Sequence, residues 1–495
     1  MTQDIAAPQS RHFVLVAAIL ASSMGFIDGS VMSIAVPAIR ANLGATLADA
    51  QWINSGYLLL LSSLILLGGA AGDRFGLRNM FGLGIVVFVA ASLVCAIAPN
   101  PLILIVFRVV QGAGAAFMVP GSLAIIAKAY PREERGRAIG IWAAASSLTS
   151  IAGPIIGGFV LTALGDWSWR LVFAINLPLG AIALALLWLK VAPDRPDANR
   201  RLDLGGAILA TLALMLIAYG LTGNGGESAP PLSHTVLWSG VGLLVGVAFV
   251  VWESRVASPM LPLRLFSNLG FSGANGLTFS LYFALGGTMF FLPMTMIGGW
   301  GLSPAVVSLS LLPMGVLMTI LSSFSGKWSD QFGPGPLIAL GSLIVAAAFV
   351  LMGLLTPLHD AWLGVLPAVV LLGLGMGLVV SPLSTAVMTS VEDGDTGVAS
   401  GVNNAVARVA GLVAVAFLGI VVASVFEQSL GEAAELAVFF GLPATGLTPA
   451  EDALRLHATD AAFASIAYIT AGLSLVSAVI AWLTLEKKVG ARRAA

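Results

Sequence analysis

The sequence predicts an all-α integral membrane protein with fourteen transmembrane helices. Three observations predict it: composition, the number of long apolar runs, and the sidedness of the basic residues between them. Of 495 residues, 58% are hydrophobic and only 9% charged, against roughly 25% charged in a soluble domain. Mean hydropathy is +0.98. The 57 glycines and 24 prolines are dispersed through the apolar runs, as suits closely packed, locally kinked membrane helices.

Runs long enough to cross roughly 30 Å of hydrocarbon occur near residues 13–37, 51–70, 80–98, 101–127, 137–163, 170–190, 204–223 and 235–253. Six more follow near 269–297, 303–325, 337–357, 361–389, 396–425 and 462–485. An even count puts both termini on one side. Most of the 23 basic residues gather on that side, including Arg74, Arg78, Lys128, Arg132, Arg135, Arg195, Arg200, Arg255, Arg264, Lys487, Lys488, Arg492 and Arg493. The opposite side carries Arg40, Arg170 and Arg455. Positive charge is retained in the cytoplasm, so both termini are expected there, in the inner (plasma) membrane of the cell. The first span is expected to be retained, without a separate targeting segment.

Other patterns exclude function classes. A net charge of −1 with scattered bases argues against a nucleic-acid partner. A lone Cys95 excludes an intrachain disulfide and reads as a packing residue. Glu392, Asp393 and Asp395 sit on the cytoplasmic side with no base beside them in sequence. The longest extracytoplasmic connection, about 426–461, carries Glu427, Glu432, Glu435, Glu451, Asp452 and Asp460. It reads as a solvated loop or as an acidic gate that concentrates cations.

An internal repeat divides the chain. Gly69, Asp73, Phe75 and Gly76 recur as Gly326, Asp330, Phe332 and Gly333, each 257 residues later. Both copies occupy a cytoplasmic turn between spans of the same direction. The expected organisation is therefore an N-terminal six-helix bundle over 1–190, a linker with two inserted transmembrane helices over 191–264, and a C-terminal six-helix bundle over 265–495. Transporters built from repeats place substrate between them near the midplane.

At these residues the chain resembles the major facilitator superfamily, and within it the drug:proton antiporters with fourteen spans. Gly69 to Arg78 resembles the cytoplasmic signature, with Asn79 in place of a frequent second base. Arg108-Val109-Val110-Gln111-Gly112-Ala113-Gly114 resembles the fourth-span motif. Gly153-Pro154-Ile155-Ile156-Gly157-Gly158 resembles the fifth-span motif associated with antiporters. Ile27 to Pro37 is similar to the first-span motif of the fourteen-span branch, with Ser30 and Ser33 where Thr and Asn are frequent. Leu202-Asp203-Leu204-Gly205 resembles the opening of its seventh span. The resemblance implies the major facilitator fold, two six-helix bundles plus two inserted helices, and multidrug efflux by alternating access without a cofactor.

Asp28, Arg108 and Arg408 are the formally charged residues well inside the expected spans, where charge costs several kcal/mol and needs a partner or a wet cavity. Asp28 lies nine residues before Pro37 and Arg108 six after Leu102, which is roughly 14 and 9 Å at 1.5 Å per residue. Comparable depths make a pair between spans one and four feasible. Such a pair either couples transport to protons, Asp28 loading and releasing one as its surroundings change, or is a fixed clamp between two helices. Arg408, near Asn403 and Asn404, lines the cavity or packs helices. Tyr57, Gln111, Asn275, Tyr282, Phe290 and Met294 are the other expected cavity residues, adaptable aromatic and Met surfaces being suited to varied apolar ligands. Lipid contact and core packing compete for the same aromatics.

Asp73, Arg74 and Arg78, with Asp330 as the second copy, form either a latch closed in one bundle arrangement or plain helix capping and charge orientation. Gly153, Pro154, Gly157 and Gly158 offer a face for close packing and bending. The embedded charge favours a neutral or monovalent-cation lipophilic substrate. The leading expectation is proton-coupled export of such amphiphiles by a functional monomer. Dedicated export of a metabolite, lipid or peptide is the alternative, and an integral membrane enzyme is disfavoured by the absence of metal-ligand spacing in the spans. No phosphate-binding loop is present for direct ATP drive.

Overall fold

In the computed structural model the described residues are 10–194, 196–197, 201–431 and 438–486. They form helices throughout, fourteen of them long and apolar enough to cross a membrane. The basic residues Arg195, Arg200, Lys487, Lys488, Arg492 and Arg493, and the acids Glu432 and Glu435, lie outside the described residues.

The chain divides into two compact units. The first comprises Met1–Gly220 and Ser233–Leu261, the second Leu221–Leu232 and Pro262–Ala495. In the first unit the helices are α1 (Arg11–Leu43), α2 (Leu47–Phe75), α3 (Leu77–Ala96), α4 (Pro101–Ala129), α5 (Arg132–Leu164), α6 (Arg170–Ala174) and α7 (Asn176–Lys190), with α6 and α7 making one span. The hairpin of α8 (Leu204–Thr222) and α9 (Leu232–Glu253) follows. Thr211 Oγ1 of α8 donates to Ser63 Oγ of α2 at 2.9 Å. The second unit holds α10 (Leu269–Met294), which runs on as a π-turn Thr295–Gly299, then α11 (Pro304–Phe332) and α12 (Pro334–Leu355). After a π-turn at Ala361–Val365 come α13 (Leu366–Thr389), α14 (Thr396–Leu430) and α15 (Pro449–Thr484).

The repeat read from four residues extends to the packing. In the first unit α2 and α3 pack on α4, α1 packs on α5, and α7 packs on α1 and α3. In the second, α11 and α12 pack on α13, α10 packs on α14, and α15 packs on α10 and α12. Each pairing maps onto its counterpart. The repeated turn glycines share a backbone conformation as well: Gly76 has φ 93° and Gly333 φ 81°, a region that L residues with a Cβ rarely adopt. In both units the segment after the last span of the bundle docks on this turn. Asp194 accepts from the Leu77 and Arg78 amides, and the Glu486 carbonyl accepts from the Gly335 amide.

Two sequence expectations are corrected. The connection read as a loop over 426–461 is helical at both ends, leaving 431–448 between α14 and α15. A capping box fixes the start of α15: Thr448 Oγ1 accepts from the Glu451 amide, and Glu451 accepts from the Thr448 amide. Hydropathy detects only the membrane-crossing part of a helix, so the charged turns before it read as loop. Their acids are engaged rather than free. Asp452 pairs with Arg455 at 2.8 Å, and Asp460 accepts from Trp300 Nε1 and meets His359 Nε2 at 2.7 Å. The second correction concerns Asp395, which has no base beside it in sequence but pairs with Arg264 Nη2 at 2.7 Å from 131 residues away.

Candidate functional site

The first unit encloses a polar network around Asp28. Helix α1 is apolar on most faces and places Asp28 at its middle, 0% exposed. Arg108 of α4, 1% exposed, donates from Nη1 to Asp28 Oδ2 at 2.6 Å. The second carboxylate oxygen accepts from Gln111 Nε2 at 3.0 Å. Gln111 stands three residues after Arg108, on the same helix face, and its Oε1 accepts from Arg108 Nη1 at 2.7 Å. Arg108 is completed by the Ile53 carbonyl, which accepts from Nε at 3.0 Å, and by the Tyr57 ring, 4.4 Å from the guanidinium carbon. A buried ion pair survives desolvation better the more of its remaining donors and lone pairs are met, and these contacts engage Arg108 Nε and Nη1 and both Asp28 oxygens.

A further neutral layer lies behind the pair. Gln111 Nε2 also donates to Ser92 Oγ of α3 at 2.9 Å, and Asn176 Nδ2 of α7 donates to the same oxygen at 3.2 Å. Both are 0% exposed. Nothing in the sequence singles out Ser92 or Asn176 as members of this site. Their signal is weak, because a neutral polar residue in an apolar span is as compatible with a backbone-bonded hydroxyl as with a network member.

Close helix approach builds the site. A Cβ on Gly112 would collide with the Tyr57 carbonyl, so the glycine lets α4 press on α2 and brings Ile53 and Tyr57 onto Arg108. On the other side Gly153 and Gly157 of α5 face Ile27, Ser30 and Val31 of α1. These residues flank Asp28 in sequence, so the fifth-span glycines seat α5 against the same stretch of α1 that carries the carboxylate. Pro154 lies within α5, and the Gly158 carbonyl accepts from Thr162 Oγ1 at 2.8 Å.

The remaining expected residues fall elsewhere. In the second unit, Asn403 Nδ2 of α14 donates to Asn275 Oδ1 and Thr278 Oγ1 of α10 at 3.2 and 2.8 Å. Phe290 and Met294 are buried in that unit, whereas Tyr282 and Arg408 are half-buried. Asn404 is exposed and donates back to the Ser400 carbonyl. Of the expected cavity residues, Tyr57 and Gln111 therefore join Asp28 in the first unit and Asn403 joins Asn275 in the second, while Tyr282, Phe290 and Met294 are spread along α10.

Near the end of α2, Gly69 is half-buried and Asp73 exposed, as is Asp330 near the end of α11, and Arg74 lies over the Phe75 ring. Arg78 donates from Nη2 to the Trp188 carbonyl at 2.9 Å and from Nε to that of Leu187. It thus caps the end of α7, within the first unit. Asp194 organises the turn before α3, accepting from Lys128 Nζ at 2.9 Å as well as from the two amides. Burial opposes its ionisation, but the Leu77 amide, the Lys128 ammonium and the Arg78 amide outweigh that and hold its carboxyl below the usual carboxylate range.

Comparison with known proteins agrees with this architecture. The family model described as Major Facilitator Superfamily matches residues 18–416. The chain is similar to a methylenomycin A resistance protein of Streptomyces coelicolor, 32% identical over 83% of this chain and 85% of that one. It is also similar to a tetracenomycin C resistance and export protein of Streptomyces glaucescens, 30% identical over 95% and 91%. Among solved structures, a bacterial homologue of the human lysosomal transporter Spinster superposes with a TM-score of 0.67 at 17% identity over 96% of this chain and 98% of that one. A D-xylose–proton symporter gives 0.62 at 16% identity over 96% and 98%.

Proposed function

Because the chain belongs to the Major Facilitator Superfamily, and is therefore a multi-pass membrane transporter of small molecules, we propose that it exports lipophilic compounds in exchange for protons. The observation that carries this reading is Asp28: a carboxylate 0% exposed at the middle of a span, bonded by Arg108 and Gln111. Protonating it removes the anion that Arg108 holds, so the bond between α1 and α4 loses its charge. Arg108 keeps the Ile53 carbonyl, Gln111 Oε1 and the Tyr57 face. One proton thereby changes how two helices of the bundle are tied, which is what coupling to alternating access requires.

The relatives named for methylenomycin A and tetracenomycin C resistance support an antibiotic-type cargo, and a relative named as a multidrug resistance protein B homologue of Mycobacterium tuberculosis, 30% identical over 83% of this chain and 76% of that one, supports breadth. The cargo is neutral or singly charged, the working form is a monomer in the inner membrane, and both termini are cytoplasmic. Six plus six spans transport and the α8–α9 pair is the insertion. The test is substrate-dependent proton flux in proteoliposomes under an imposed proton gradient, with methylenomycin A, tetracenomycin C and lipophilic dyes offered separately. Wild type should couple flux to several of them and Asp28→Asn to none. Unchanged coupling in Asp28→Asn rules out the proposed role. Flux with a single compound favours dedicated export.

A further inference from the structure

A second pair of buried acids lies far along the chain from Asp28. Asp203 stands just before α8 and Glu253 ends α9, so the two meet at the base of the inserted hairpin, 6% and 3% exposed. Asp203 Oδ1 accepts from the Gly206 amide and from Trp252 Nε1, both at 2.8 Å. Glu253 Oε2 accepts from the Leu261 amide at 2.9 Å. One oxygen of each carboxyl, Asp203 Oδ2 and Glu253 Oε1, is buried without a protein donor. Both orphan oxygens converge over Gly206, where a Cβ would strike each of them, so the two carboxyl groups are close neighbours.

Two carboxylates in contact and out of water repel each other strongly, and among the described residues no cation forms an ion pair with either. Arg201 and Arg255, the nearest bases in sequence, are exposed, and neither forms an ion pair with either acid among the described residues. From α8, α9 and the 254–261 segment the groups facing the pair are the Gly206, Met260 and Leu261 amides and the Trp252 indole, and all are donors. On α2, the neighbour of α8 through Thr211, the contact is the neutral Ser63. One proton between Oδ2 and Oε1 satisfies both orphan oxygens at once and cancels the repulsion.

We propose that Asp203 and Glu253 form a one-proton binding site at the base of the α8–α9 hairpin, separate from Asp28, whose proton fastens residues 254–261 to the hairpin. Asp203 is the anionic partner: burial opposes its ionisation, but the Gly206 amide, the Trp252 indole and the Glu253 carboxyl hold it below the usual carboxylate range. The proton sits on Glu253, which also anchors the Leu261 amide. Losing it leaves two adjacent buried anions, whose repulsion drives Glu253, and the Leu261 segment bonded to it, away from Asp203. The pair thus makes the leash from hairpin to second unit responsive to pH on the side proposed as cytoplasmic.

The sign of the stability effect follows from proton counting. In the unfolded chain the two acids ionise at about 3.9 and 4.3, whereas repulsion between the two buried carboxylates makes the folded pair hold one proton to higher pH. The folded protein then binds more protons, so stability falls as pH rises through the loss of that proton. The experiment is infrared difference spectroscopy and thermal unfolding of the full chain in liposomes across neutral to alkaline pH. A protonated-carboxyl C=O band should be present in wild type and Asp28→Asn and vanish in Glu253→Gln and Asp203→Asn. Glu253→Gln, whose amide donates to Asp203 in place of the proton, should lose the alkaline fall in Tm while remaining folded. A band unchanged in both pair variants overturns the site. So does alkaline Tm restored by Na⁺ or Mg²⁺ without any carboxyl band, which would make the ligand a metal cation. An alkaline Tm fall that persists in Glu253→Gln overturns the fastening role.

Discussion

Arg108 Nη1 bridges Asp28 Oδ2 and Gln111 Oε1, at 2.6 and 2.7 Å, while Gln111 reaches back to the other Asp28 oxygen. The ion pair is therefore one side of a closed triangle. Removing one charge strands the other in an apolar interior, which costs about 3–5 kcal/mol. Asp28→Asn and Arg108→Gln should each lower stability by that order. The double variant should lose less than the sum, with a coupling of about 0.5–3 kcal/mol. Thermal or denaturant unfolding of the four proteins measures it, and strict additivity would mean the pair is not coupled.

Gly112 is expected to be intolerant of even one methyl. A Cβ there meets the Tyr57 carbonyl, a backbone atom that cannot rotate away. Gly112→Ala should cost about 1–3 kcal/mol through overpacking and lower transport by displacing Ile53 and Tyr57 from Arg108. Gly136, whose Cβ would meet nothing within 4 Å, supplies the control: Gly136→Ala should leave unfolding and flux unchanged.

Acid should loosen the turn before α3. Asp194, whose carboxyl is held below the usual range, contributes stability that is present above the unfolded value of about 3.9 and is lost as pH falls through the folded one. Asp194→Asn should remove that part of the acid dependence while matching wild type more closely at low pH. Hydrogen exchange of the Leu77 and Arg78 amides, measured against pH, checks it locally.

The start of α15 rests on a reciprocal cap. Thr448→Ala removes the side chain that accepts from the Glu451 amide and should cost about 0.5–2 kcal/mol. Faster exchange should be confined to the first turn of α15, leaving the membrane-crossing part protected. Loss of protection along the whole helix would mean that the charged turns support the span.

The sequence by itself determined the fourteen spans, the repeat, and Asp28 and Arg108 as helix-borne charges at comparable depth. Each of these is legible locally, because apolar length and residue spacing along a helix need no knowledge of its neighbours. Only the tertiary structure decided who meets whom. Ser92 and Asn176 join the Asp28 network, Asp194 holds the Gly76 turn, Asp395 finds Arg264, Asp460 finds His359, and Asp203 finds Glu253. These partners stand apart by about 20 to more than 100 residues. Their meeting depends on helix rotation and crossing, set by close approaches such as Gly112 on Tyr57 and Gly157 on Val31. A short polar side chain carries no local mark of the helix it will face. The acids in the first turns of α15 read as loop because hydropathy registers the bilayer and not the hydrogen bonds that extend a helix beyond it.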